Sequence, residues 1–435
     1  MRPRRRAAAA LLGWAVAGTS GGALVRAPPA IASGDATGTV DDSAQASPTP
    51  EFFDVNKYRA DPGNPGAIRV PGTNIALYIG GFAQLDVMSD INVIGNQDQF
   101  VVSSIPVGPS TGNTGFGLSA RQSRLFVETD APWSVAPLMA YIEVDFFDPQ
   151  NETTLHIRHA FGAIGRPNGL RLIGGYTWSS FMDATIIPNQ LDYAGPVGIA
   201  NVQQAQARLI VPFNLRYDPN GLPAGIEALF SIEAPDPQIT QPANTQGTGY
   251  SRWPDLIATL RWDHGHGHVQ LSGVFRQIGN LNATGDGTSN VGYGGNVTGR
   301  LAGFWGKDQL LLSVGAGRAV ARYYAGSNGL NQDAFVQTDG QLSLPDLVAA
   351  MGSYTHTLWG DRLGLTGIYS IIRFSNLQAG TDTTFRQSQY VGGVLQYFPN
   401  KRFMSGVEYL FGQRENRNGS TGSDNRLQVS TMVKF

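Results

Sequence analysis

From about residue 75 onward the chain alternates apolar and polar side chains with a period of two, in short runs cut by Gly, Pro, Asn and Asp. In Leu138 to Phe147 one face carries Leu138, Ala140, Ile142, Val144 and Phe146, and the other carries Tyr141, Glu143 and Asp145. In Val202 to Val211, Ala205, Ala207, Leu209 and Val211 oppose Gln204, Gln206 and Arg208. The pattern predicts about sixteen strands, at 75–87, 117–129, 138–147, 155–163, 170–177, 202–213, 224–233, 255–262, 267–276, 292–304, 309–318, 346–358, 361–370, 388–398, 401–411 and 427–435.

Connection length alternates as well. Short turns follow most even-numbered strands: Gly165 to Gly169, Asp263 to His266, Trp305 to Asp308, Gly360, and Pro399-Asn400. Long segments follow most odd-numbered ones: 88–116, 178–201, 234–254, 319–345, 371–387 and 412–426. This layout puts short turns at one end and long loops at the other, as in an outer-membrane barrel. A soluble β-sandwich would show the same strand alternation but rarely this alternation of loops. Lipid satisfies no backbone N–H or C=O, so spanning strands must close on themselves. The expected fold is an all-β transmembrane antiparallel barrel of about sixteen strands over 75–435, with short periplasmic turns and long extracellular loops. The last strand, Leu427 to Phe435, then pairs with the first, and its terminal aromatic sits at the periplasmic interface.

The N-terminus agrees with export. Arg2, Arg4, Arg5 and Arg6 precede an apolar, small-residue stretch to Val25, and Ala30-Ile-Ala32 is a cleavage-type motif. Residues 1–32 therefore read as a signal peptide; glycines at 13, 18, 21 and 22 weaken the alternative of an anchor helix. Residues 33–74 read as a polar periplasmic leader. Removing 1–32 takes five of the 31 Lys and Arg and none of the 33 acids, leaving a formal charge of −7, which argues against nucleic acid as partner. With no Cys, a disulfide framework is excluded. Charged residues are only 15 %, too few for the exposed faces of a large soluble α-helical enzyme.

A barrel of this size leaves an aqueous lumen, so candidate chemistry lies in what points inward. Strand parity selects Glu143, Asp145, Arg158, Arg208, Arg261, Arg276 and Arg300, and Arg124 if Leu125 and Val127 face outward. Arg121 has the opposite parity to Arg124, so one of them lies at a bulge, a rim or a subunit interface; Arg171 is similarly placed by parity alone. An Arg-biased wall favours anions, because a guanidinium fork binds a carboxylate through two parallel hydrogen bonds. The alternatives are a general or cation-preferring pore in which these Arg residues only balance Glu143 and Asp145.

The segment 178–201 is rich in apolar residues, Phe181, Met182, Ile186, Ile187, Leu191 and Tyr193, with Asp183 and Asp192 as its charges. Such a loop packs rather than waves in water. It is expected to fold into the barrel as a constriction, with Asp183 or Asp192 opposite the Arg wall, or else to pack on a neighbouring subunit. His264, His266 and His268 sit at a short turn with no carboxylate cluster beyond Asp263, so no metal site is expected. His156 and His159 fall on opposite faces of one strand. No nucleophile, base and acid set stands out, and no cofactor is implied; a barrel enzyme and a secreted adhesin remain as alternatives.

Several stretches resemble one family: Gly80-Gly-Phe-Ala-Gln-Leu-Asp86, Leu118-Ser-Ala-Arg-Gln-Ser-Arg124, Tyr141-Ile-Glu-Val-Asp-Phe-Phe147, Ile157-Arg-His-Ala-Phe-Gly162, Trp178-Ser-Ser-Phe-Met-Asp183, Leu191-Asp-Tyr-Ala-Gly-Pro196, Gly406-Val-Glu-Tyr-Leu-Phe-Gly412 and Arg414-Glu-Asn416. Together they resemble the DcaP-like porins of Gram-negative bacteria, from about residue 78 to the C-terminus. The resemblance implies a homotrimer of sixteen-stranded barrels in the outer membrane and passive uptake of small anionic solutes, dicarboxylates among them. It places Arg124 and Arg158 on Arg positions of the family's motifs and Glu143 and Asp145 on its acidic strand. Likeness to bacterial outer-membrane proteins also makes Phe435 an assembly signal, read by the barrel-assembly machinery, in a protein bordered by lipid and lipopolysaccharide. One departure is the leader, where Pro48, Pro50, Pro62 and Pro65 oppose the helical segment that other members carry.

Overall fold

The computed structural model describes residues 67–435, apart from 93, 109–113, 134–135, 148–152, 167–168, 218–222, 244–245, 304–306 and 361. The expected signal peptide (1–32) and most of the expected leader lie outside the described residues. Sixteen strands form the barrel wall. They are β1 (Ala76–Asp90), β2 in two pieces (Gly115–Ser119 and Arg124–Ala131), β3 (Leu138–Phe147), β4 (Thr153–Gly165), β5 (Arg171–Trp178), β6 (Gln203–Pro212), β7 (Pro223–Glu233) and β8 in two pieces (Gly247–Tyr250 and Asp255–His264). After these come β9 (Gly267–Asn282), β10 (Gly287–Ala302), β11 (Gln309–Arg318), β12 (Asp346–Leu358), β13 (Leu363–Ser375), β14 (Phe385–Asn400), β15 (Phe403–Asn416) and β16 (Thr421–Lys434).

Each strand pairs antiparallel with its neighbours in sequence, and β16 returns to β1 from Phe82↔Lys434 to Asp90↔Arg426. The wall is therefore a closed sixteen-stranded barrel, and every ladder finds a partner. A two-residue strand, Ile68–Arg69, pairs with Leu77 and Ala76, just before the wall begins.

Alternation sets the two faces. Ile142, Leu172, Phe230, Leu271, Leu312 and Leu365 all point outward and are about half exposed. Near the short-turn ends, Trp133, Phe213, Trp262, Trp359, Tyr397 and Phe435 are also exposed. An outer belt of Leu, Ile and Val edged by aromatics suits a bilayer, whose interface holds amphipathic rings. Inward positions are polar at many sites, but a large buried hydrophobic cluster also lies on that side. It joins wall residues such as Ile257, Leu347 and Ile372 to loop residues such as Phe100, Phe181, Ile199 and Tyr323.

Two features differ from the sequence reading. Segment 412–426 is not a long loop: β15 and β16 continue as a hairpin joined by 417–420. The same holds for β9 and β10, joined by 283–286. At the β15–β16 extension the outward positions Gln413, Glu415, Thr421, Ser423 and Asn425 are polar, and so are the buried inward positions Asn416, Asp424 and Arg426, so the apolar–polar alternation that marks a strand disappears from the sequence although the ladder continues. The second difference is a bulge in β4. Glu143 pairs with His159 but Val144 pairs with Ile157, leaving Arg158 as the extra residue. A bulge re-aims side chains, so Arg158 and His159 are both buried, and His156 and His159 are not on opposite faces as parity implied.

Candidate functional site

The β4 bulge builds the first cluster. Arg158 donates from Nε to Glu143 Oε1 at 2.7 Å and from Nη1 to Asp145 Oδ2 at 2.8 Å. Arg124, on the inward face of β2 while Leu125 is exposed, approaches Glu143 at 3.6 Å. Tyr141 donates to Glu143 at 2.7 Å, and His156 Nδ1 lies 2.9 Å from Asp145. The guanidinium of Arg158 also lies over the rings of Trp178 and Tyr193, at 5.7 and 5.5 Å. Arg121 sits in the break between the two pieces of β2, where it donates to Asp98 at 2.8 Å. That break accounts for the opposite parity of Arg121 and Arg124.

The segment 179–202 reaches side chains from most of the wall. Near its start, Ser180 donates from its backbone to Glu233 of β7, and Thr259 of β8 donates to Ser180 O. Asp183 takes a hydrogen bond from Thr298 at 2.7 Å and lies 2.7 Å from His268 Nε2 and 3.4 Å from Arg261. The backbone N–H groups of Leu191 and Asp192 donate to Glu408 Oε2 of β15 at 2.8 and 2.7 Å. Tyr193 donates to Asp145 of β3 at 2.8 Å, and Gly198 donates to Ser370 Oγ of β13 at 2.7 Å. A Cβ at Gly198 would stand 2.3 Å from Ala350 O and 2.5 Å from Ile371 O, so only glycine allows this approach to the wall.

Neither acid of this segment faces an open Arg wall. Asp183 is buried; burial opposes its ionisation, but His268, Arg261 and Thr185 prevail and hold it well below the usual carboxylate range. At Asp192 burial prevails over nearby Arg426 and over the amides of Phe100 and Gly195, and its carboxyl is pushed up.

A second segment, after β11, was not singled out in the sequence. Residues 319–327 are largely buried, and they zip to 197–201 through backbone bonds: Asn201 N to Tyr323 O at 2.8 Å, Ala325 N to Ile199 O at 3.0 Å and Gly326 N to Val197 O at 2.9 Å. The only sequence signal was the run Ala319-Val-Ala-Arg-Tyr-Tyr324, too apolar for a free loop. The loop after β1 joins them, with Phe100, Val102 and Ile105 buried in the same cluster.

Beside these loops lies a cavity of about 490 Å³. Its charged lining is Arg124, Arg158 and Arg322 with Asp192 and Asp236, and His156 adjoins them. Tyr176, Trp178 and Tyr193 supply aromatic surface, and Gln84, Gln122, Gln190 and Gln203 supply neutral polar groups.

Of the other residues picked by parity, all but Arg300 are buried against partners, and none lines this cavity. Arg171 is hydrogen-bonded to Glu227. Arg208 is held by Gln206 and the carbonyl of Trp178. Arg261 chelates Asp263 at 2.8 and 3.1 Å. Arg276 lies between Asp255 and Asp333, at 3.2 and 2.9 Å. Arg300, on the inward parity of β10 with Asn296 and Thr298, is half-buried near Arg261 and Asp183. Parity identified the face but not the partners: Gln206 and Asp263 stand two residues away on the same strand, whereas Glu227, Asp333 and the carbonyl of Trp178 come from other strands and loops. His264, whose ring lies 5.1 Å from that of Trp262, does not join His268 at Asp183. Phe435 is exposed, with its N–H donating to Gly81 O at 3.1 Å.

A closed barrel with an apolar belt, a partly polar interior and long loops at one end defines an outer-membrane channel fold. Solved structures share it. The outer membrane channel DcaP of Acinetobacter baumannii superposes with a TM-score of 0.70 at 19 % identity, over 85 % of this chain and 100 % of that one. An anion-selective porin from Comamonas acidovorans gives 0.56 at 10 % identity, over 83 % and 100 %. The outer-membrane protein OmpT of Vibrio cholerae gives 0.53 at 10 %, over 85 % and 100 %. The chain matches no protein-family model and no curated protein sequence.

Proposed function

We propose that this chain is a DcaP-like porin of the Gram-negative outer membrane. In this reading it is a homotrimer through which small hydrophilic, preferentially anionic solutes such as dicarboxylates diffuse passively. It is a channel rather than an enzyme. The observation that carries the reading is the cavity lining, which holds three guanidiniums and His156 against two carboxylates, one of them, Asp192, pushed up in pKa by burial. Anions gain from such a wall, and cations meet it as repulsion.

The segment 179–202 is the constriction. In support, it bonds to side chains on β3, β7, β13 and β15, and a chain that reaches such widely spaced strands from within has to cross the bore. The outer belt meets lipid and lipopolysaccharide, and Phe435 is the mark read by the barrel-assembly machinery.

A competing reading, a general or cation-preferring porin, draws on a different observation: Arg158 is already matched by Glu143 and Asp145. Reversal potential across a planar bilayer under a KCl gradient separates the two. Anion selectivity, with partial block of the current by succinate, is expected of the detergent-purified protein. Cation selectivity would discard the anionic assignment and leave the pore.

A further inference from the structure

Arg322 differs from Arg158, the cavity arginine held by two carboxylates. It is carried by the loop between β11 and β12, and its side chain is only 6 % exposed. Its Nη1 donates to Gln204 Oε1 at 2.6 Å and to Ala234 O at 3.4 Å, both neutral acceptors. The carboxylates nearest its guanidinium, Asp255 at 3.6 Å and Asp236 at 3.7 Å, lie beyond hydrogen-bond reach, while its backbone N–H donates to Asp333 at 3.1 Å. Asp255 is also engaged by Arg276 at 3.2 Å and by Tyr323 at 2.7 Å. The Nε–H of Arg322 is buried with no acceptor. Arg158, by contrast, has carboxylates on both sides at hydrogen-bond distance.

A buried guanidinium whose hydrogen bonds go to neutral groups, with carboxylates no nearer than 3.6 Å and a donor to spare, keeps part of its field for whatever enters the cavity. Its position extends the basic lining. Tyr176 also lines the cavity wall. The cavity lining thus carries Arg322 in addition to Arg124 and Arg158. Asp236, whose side chain is 64 % exposed, is the one loosely held counter-charge beside Arg322.

We propose that Arg322 is a specificity-determining residue: it takes the second anionic group of a dianionic solute whose first group is held at Arg124 and Arg158, and Asp236 swings aside as the solute enters. This rests on the anion-channel reading and adds a reason for preferring two charges to one. The test is current block of the full-length protein in a planar bilayer, by succinate and by acetate, alongside reversal potential in KCl. In Arg322→Gln, half-block by succinate is expected to need about tenfold more solute, the worth of one lost hydrogen bond to a charged group. Acetate block should move much less, and selectivity should stay anionic because Arg124 and Arg158 remain. In Asp236→Asn succinate should block more tightly, and Arg322→Lys should fall between wild type and Gln.

Succinate block unchanged in Arg322→Gln would overturn the proposal while leaving an anion-selective wild type intact. Equal weakening for succinate and acetate would also overturn it, reducing Arg322 to general charge. A cation-selective wild type would remove the reading beneath both. If Arg322→Gln does not assemble, Asp236→Asn decides, since an unchanged block there contradicts the displaced counter-charge.

Discussion

Arg158 shows how much of the site depends on a single residue's register. Without the extra residue in β4, its guanidinium would not meet Glu143 and Asp145 together. Buried charges are costly to leave unmatched. Replacing Asp145 with Leu should therefore destabilise the barrel by on the order of 3 kcal/mol. The check is the temperature at which the folded band of a semi-native gel converts to the unfolded one; an unchanged temperature would show that water already reaches Arg158. Asp183 supports a prediction about pH. A carboxyl held below its free value of about 3.9 stabilises fully above that pH, and its contribution is lost only as pH falls through the lower folded value. Loop packing around Asp183 should therefore persist down to about pH 4 and loosen only in stronger acid. Protease access to segment 179–202, followed from pH 6 downward, tests this; loosening near pH 5 would contradict it.

Among the elements, segment 179–202 and its glycine contact matter most. Gly198→Leu puts a side chain where the Ala350 and Ile371 carbonyls already stand, so the segment has to move off β12 and β13. Single-channel conductance should change while the amount of folded barrel does not; wild-type conductance would mean the segment is not what limits current. The strands were readable because lipid on one side and water on the other impose a strict period of two. Leu138–Phe147, Gln309–Arg318 and Asp346–Leu358 begin and end at the residues expected. The hairpin around 417–420 was not readable, since both its outward positions, Ser423 and Asn425, and its buried inward ones, Asp424 and Arg426, are polar. The bulge at Arg158 was also hidden, because an added residue leaves no mark in one sequence. Arg322 was missed for a third reason: its neighbours Gln204, Asp255 and Asp236 are brought to it only by closure of the barrel and docking of two loops.

For the whole molecule, the outer belt is the controlling surface. Leu271 is exposed on β9. An Arg in its place should cost about 2–4 kcal/mol if that position lies at the bilayer midplane, and less nearer an interface. Reversible unfolding in lipid vesicles measures the cost, and a neutral result would mean the site is covered by protein or lies outside the membrane. Deleting Phe435 should lower the amount of barrel in the outer membrane without altering the conductance of molecules that assemble. Normal surface levels would remove the terminal aromatic from the assembly step.

The closing ladder between β1 and β16 has a further consequence, in time rather than space. Nine residue pairs join positions that enter synthesis at opposite ends of the chain. Until the last dozen residues emerge, β1 has no permanent neighbour on that side, and an unpaired edge is an invitation to any other strand. The seam carries its own register mark: Arg426 grips Asp90 through two hydrogen bonds at 2.6 and 3.0 Å. A slip by one residue would separate them and turn the apolar face of β16 inward. The order of events is therefore constrained, with fifteen strands waiting on the sixteenth. A chain that loses its final segment is not a slightly shorter pore but an open sheet, to be captured by a chaperone or destroyed by a protease.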